Sequence, residues 1–157
     1  MRDEFRKVLS VGLIIGYIDG LAACFNGYFL SGATPGRIFQ YIASGFLGSQ
    51  AFSGGLLSIL FGVLIHFTIA IIVTGIFFLI YNNNFYLREF YLLYGALYGI
   101  LVWSVMNYIV IPFSAVSPAD FGTTQIIIGV MIHIFIVGIP IGLFAGKDTI
   151  GVQMAEV

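Results

Sequence analysis

Apolar residues run in four long blocks, near 8–30, 56–81, 90–112 and 122–145, separated by short polar stretches. A helix needs roughly 20 apolar residues to cross the hydrocarbon of a bilayer. Each block has that length, and none contains a Lys or Arg. The pattern predicts an all-α, integral membrane four-helix bundle. Ser117, Pro118 and Asp120 read as N-cap, N1 and N3 of a helix. They extend the fourth block backwards, so the predicted spans are about 8–30, 56–81, 90–112 and 118–145. Pro140, after Gly138, falls within the last span. It leaves the carbonyl of Ile136 without its helical donor and predicts a kink.

The segment 34–55 breaks the pattern. Thr34-Pro35 reads as an N-cap and N1 pair. Ile38, Phe39, Tyr41, Ile42 and Phe46 then form one apolar face, interleaved with Gln40, Ser44 and Gly45. This predicts a helix over about 35–47, too short to span. It is either interfacial, as its amphipathic pattern suggests, or re-entrant into the bundle. Gly45, Gly48, Gly54 and Gly55 supply the turns that end it.

Composition sharpens the membrane assignment. The chain of 157 residues is 60% hydrophobic and 8% charged, against about 25% charged in a soluble domain. Four spans leave no length for a separate soluble domain. A formal net charge of −1 offers no nucleic-acid surface. Cys24 is the single cysteine, so neither an internal disulfide nor a cysteine metal cluster is expected. Arg2, Arg6 and Lys7 resemble the basic start of a signal peptide, but the apolar run behind them is too long, and a retained first span is expected. These three residues, Arg88 and Lys147 fall on one side of the predicted membrane, and Arg37 on the other. The positive-inside rule then places both termini in the cytoplasm. Tyr81, Tyr86, Tyr91, Tyr94 and Trp103 fall near span ends, as interfacial aromatics do.

An internal repeat is visible. Gly62-Val63-Leu64-Ile65-His66 matches Gly129-Val130-Met131-Ile132-His133, and Ile69, Ile72 and Gly75 match Ile136, Ile139 and Gly142 at the same offset. Spans one and three share small-residue spacing, Gly12/Gly16/Gly20 and Gly95/Gly99. The expectation is two similar helical hairpins related by a pseudo-two-fold along the membrane normal. The glycine faces could also serve self-association, as a homo-oligomer or within a larger membrane complex.

Asp19, His66 and His133 are the ionisable residues deep inside spans. Each lies roughly ten residues, or about 15 Å at 1.5 Å per residue, from a span end. A charged carboxylate there costs about 2.5–3.5 kcal/mol on the insertion scale. Asp19 is therefore expected to face the bundle interior and meet His66 or His133. Asn26, Asn107, Gln125 and Ser58 lie outward of these three and predict a polar track from the outer surface to the midplane. On the inner side, Thr74 alone shares the His66 face, so the track is expected to close toward the cytoplasm. Three functions compete. The three groups could bind or pass a small solute or ion, with a divalent metal on Asp19, His66 and His133 as a variant. They could be structural contacts in an accessory subunit. His66 and His133 could ligate haem b in an electron carrier, with Gly62 and Gly129 making room for a porphyrin edge. No phosphate loop, nucleophile elbow or His-Glu-x-x-His motif points to an enzyme.

Ile42-Ala-Ser-Gly-Phe-Leu-Gly48, Gly62 with Ile65-His66-Phe67, Met106-Asn107 with Pro112, and Ile132-His133 with Gly138-Ile139-Pro140 resemble segments of a group of small bacterial inner-membrane proteins. More distantly, they are similar to the YagU-like proteins. The resemblance covers most of the chain and implies four helices in a bacterial inner membrane. It implies no reaction and no role for Asp19.

Overall fold

The computed structural model describes residues 2–116 and 122–146, and all of the regular structure within them is helical. Six helices follow in order. They are α1 (Arg2–Ser31), α2 (Pro35–Leu47), α3 (Gly55–Asn82), a single turn α4 (Phe85–Glu89), α5 (Tyr91–Val110) and α6 (Thr123–Gly146). A turn of 3₁₀-helix, Gly48–Phe52, joins α2 to α3. Helices α1, α3, α5 and α6 are long and apolar enough to cross a membrane. Large apolar side chains such as Leu13, Phe25, Leu64, Leu79, Leu101 and Phe135 stand exposed on them. Water does not tolerate so much contiguous apolar surface, and lipid does, so the chain is a multi-pass α-helical membrane protein. The predicted start of the fourth span at Ser117–Asp120 lies outside the described residues, as does Lys147.

Close glycine contacts decide which helices pair. On α1, Gly12 rests on Ile71, and Gly16 on Phe67 and Ala70, so α1 lies along α3. On α5, Gly95 and Gly99 meet the backbone of α6 at Gly138 and His133, so α5 lies along α6. A methyl group at Gly138 would overlap the carbonyl of Gly95. Without a hydrophobic drive between helices in lipid, such close backbone approach is what holds a membrane bundle together. Gly12, Gly16, Gly95, Gly99 and Gly138 all make such contacts within the chain.

The packed core lies toward the end of the bundle that carries the N-terminus. Val11 and Ile15 of α1, Phe77, Phe78 and Tyr81 of α3, and Val137, Ile141 and Ala145 of α6 are buried together there. Phe77 stacks on Tyr81 at 6.0 Å and meets Tyr98 of α5 at 5.0 Å. The Tyr98 hydroxyl donates to the carbonyl of Val73 at 2.7 Å and ties α5 to α3.

Helix α2 begins as the sequence predicts. Thr34 caps it, with its hydroxyl accepting from the Arg37 N–H at 3.4 Å, and Pro35 opens the first turn. It does not lie apart from the bundle. It crosses α3, with the Phe39 carbonyl set against Gly62, where a methyl group would collide with it. Its far end is fixed by the Ala115 N–H donating to the Gly45 carbonyl at 3.0 Å.

Two spans contain π-helical turns, at Met106–Val110 and His133–Gly138. The Ile111 N–H bonds to the Met106 carbonyl at 2.9 Å, and the Ile139 N–H to that of Ile134. Each donor immediately precedes a proline, Pro112 or Pro140. A proline ring clashes with the carbonyl four residues back. Widening the preceding turn by one residue moves that carbonyl aside. The strain expected at Pro140 is thus taken up by a π turn beginning at His133.

Candidate functional site

Three helices bring Asp19, His66 and His133 to one cavity of about 120 Å³. The rest of its wall is apolar, from Ile15, Ile42, Ile69, Val102, Met106 and Val137 among others. A single water needs roughly 10–15 Å³ by the same measure, so several waters or a small ion or solute fit. The π turn of α6 contributes both His133 and Val137, and that of α5 contributes Met106. Such turns recur at functional sites because they redirect side chains within an otherwise regular helix.

Each histidine is oriented by a backbone carbonyl. His66 Nε2 donates to the carbonyl of Gly16 at 2.8 Å. His133 Nδ1 donates to that of Gly129, one turn back, at 2.9 Å. A carbonyl oxygen only accepts, so the bonded nitrogens carry protons. The neutral rings therefore keep a lone pair on Nδ1 of His66 and on Nε2 of His133. Asp19 Oδ2 lies 4.0 Å from His66 Nε2, with side chains 21% and 11% exposed respectively. Asp19 follows Gly16 by three residues, on the same face of α1. One imidazole thus meets both the carbonyl and the carboxyl. Gly20 gives the His66 ring its space, since a methyl group there would stand 3.2 Å from Nε2. Phe39 of α2 and Phe67 meet the ring edge-on, at 6.0 and 5.6 Å.

Two of the other polar residues of the predicted track bond within their own helix or its first turn. Asn107 donates to the Trp103 carbonyl at 2.8 Å, within its own helix. Gln125 accepts from the Gly122 N–H at 3.0 Å and closes the first turn of α6. Ser58 is buried beside Gly54, and Asn26 is half-buried on α1. The cavity wall unites Asp19, His66 and His133, and does not include Asn26, Asn107, Gln125 or Ser58. Above the cavity stands α2, contributing Ile42 to its wall and Phe39 to the His66 ring. Thr74, below it, is fully buried with its hydroxyl unpartnered among the described residues.

The geometry bears on the cofactor alternatives. Among the described residues, no three His, Cys, Asp or Glu side chains are grouped to hold a metal ion. Asp19, His66 and His133 share a cavity without forming a coordination shell. A porphyrin fits poorly. The 120 Å³ cavity is well under the roughly 300–1,000 Å³ of pockets for drug-sized molecules, and Gly62 and Gly129 are filled against Phe39 and the Trp103 indole. Sequence reasoning missed Ile42 and Met106 as wall residues, and with them the π turns. The available signal was the recurrent Ile-Pro pair at 111–112 and 139–140. Comparison with known proteins adds no constraint: no family model, curated protein or solved structure matches the chain.

Proposed function

We propose that this is a small inner-membrane protein of the bacterial type that binds or passes a proton or small cation at the Asp19–His66–His133 cavity. The observation that carries the reading is the convergence of three ionisable span residues, from α1, α3 and α6, on one cavity. Intramembrane ionisable groups are costly and mark ion and proton pathways. A carboxyl beside one imidazole, with a second imidazole on the same cavity wall, provides groups that can take up and hand on a proton. The aromatic core beneath and α2 above would make this an alternating site rather than an open pore.

The reading includes a two-hairpin design. In α1–α3 the glycine stripe of the first helix faces His66, through Gly16 and Gly20. In α5–α6 it faces the backbone of His133, through Gly99. The correspondence supports a pseudo-two-fold that presents the two histidines to one cavity. The orientation proposed is cytoplasmic termini, supported by Arg2, Arg6, Lys7 and Arg88 opposite Arg37. Cysteines introduced at Ser53 and Asn83 in a Cys24→Ser background test it. An impermeant maleimide added to intact cells should label the first and spare the second; the reverse pattern would invert the topology.

The functional test is flux. Purified protein in liposomes, with an entrapped pH-sensitive dye and an imposed potassium diffusion potential, should move protons faster than empty liposomes. The same vesicles with a sodium gradient test the small cation. A folded protein that moves and binds neither would favour the accessory-subunit reading.

A further inference from the structure

A second, larger cavity of about 400 Å³ lies between α2, α3 and α5. Its wall includes Tyr41, Phe46, Ile65, Met106, Val110 and Phe113, and it shares Ile42, Ile69 and Met106 with the midplane cavity. The volume falls in the range of pockets for small organic ligands, roughly 300–1,000 Å³. The wall carries no charged residue, so an ion is not its ligand. One polar feature stands out. The Tyr41 hydroxyl is screened from solvent and has no hydrogen-bond partner among the described residues. A buried phenol normally finds one. The π turn Met106–Val110 borders the same space and sets Met106 and Val110 on its wall.

We propose that this cavity binds an uncharged, lipid-soluble molecule with a single carbonyl oxygen, which accepts a hydrogen bond from the Tyr41 hydroxyl. The aromatic and aliphatic wall takes the apolar body. Tyr41 borders the cavity, so a small rotation of its side chain brings the donor to the ligand. A carbonyl fits because it accepts only, and so leaves no unmet donor of its own in an apolar space. The proposal is independent of the ion-binding role, since it uses neither Asp19 nor the histidines.

Benzophenone, an aromatic ketone that inserts into neighbouring C–H bonds on illumination, is a direct probe. With the full chain in lipid nanodiscs, labelling should saturate and map to Met106 and Val110. Tyr41→Phe should weaken apparent binding about 3- to 10-fold, the worth of one hydrogen bond. The same variant without probe should melt higher, by about 2–4 °C for each kcal/mol gained from removing an unpaired buried hydroxyl. Ile65→Phe, which fills the cavity from α3 and leaves Tyr41 in place, should block labelling. Labelling that does not saturate, that spreads over lipid-facing helix surfaces, or that is unchanged in Tyr41→Phe would overturn the proposal. A lowered melting temperature in Tyr41→Phe would also count against it, because that hydroxyl would then already have a partner.

Discussion

Gly138→Ala should loosen the α5–α6 pair and lower thermal stability more than any other single-methyl change at the glycines of this interface. The added methyl group meets the backbone of Gly95 and Gly99, not a movable side chain. Overpacking costs about 1–3 kcal/mol where side chains can shift. Here the helix axes themselves must separate, so the upper part of that range is expected. For a chain of this size each kcal/mol lowers the melting temperature by about 2–4 °C. Gly75→Ala is the internal control. Its methyl group would sit 3.4 Å from a Val8 side-chain carbon, an ordinary contact, and alanine is the better helix former by about 1 kcal/mol. That variant should be neutral or slightly stabilised. Equal melting temperatures for the two variants would mean that α5 and α6 do not approach as described.

The second large effect separates folding from function at the midplane. Asp19→Leu should fold, because removing a costly intramembrane carboxyl offsets the lost contact with His66. His66 keeps its bond to the Gly16 carbonyl in that variant. His66→Leu should be less stable than Asp19→Leu, because it strands the carboxyl. Its cost should stay below the roughly 3–5 kcal/mol of breaking a fully buried pair, since Asp19 retains 21% exposure. The double variant should recover part of that loss. Proton flux in liposomes should fall to the level of empty vesicles in all three. Full flux in Asp19→Leu would remove the carboxyl from the pathway. Wild-type stability in His66→Leu would show that the two groups do not interact.

The four spans were legible because lipid imposes a length and an apolarity that few other structures need. Helix α2 was legible at its start, where Thr34 and Pro35 satisfy the first turn locally. Its placement was not. Amphipathicity does not say which helix its apolar face meets, and the contact with α3 rests on Gly62 admitting the Phe39 carbonyl. The midplane residues were found because an ionisable side chain in a span is conspicuous. Their polar neighbours were harder to assign, since Asn107 and Gln125 can satisfy themselves within their own helices as readily as line a path. The π turns escape a reading based on a 3.6-residue period. They insert one residue, and so change which side chains face the cavity, without changing the composition of the span.

The account rests on Asp19, His66 and His133 acting as one site. Imidazole ¹⁵N spectra of the protein in nanodiscs, recorded for wild type and Asp19→Asn under one set of conditions, address this directly. Ring nitrogen shifts report the hydrogen bonds and charges that each imidazole meets. Replacing the carboxyl should therefore move the ring resonances of both His66, 4.0 Å away, and His133, across the shared cavity. Resonances of His133 unchanged by Asp19→Asn would contradict a single site and leave two unrelated polar contacts in the bundle.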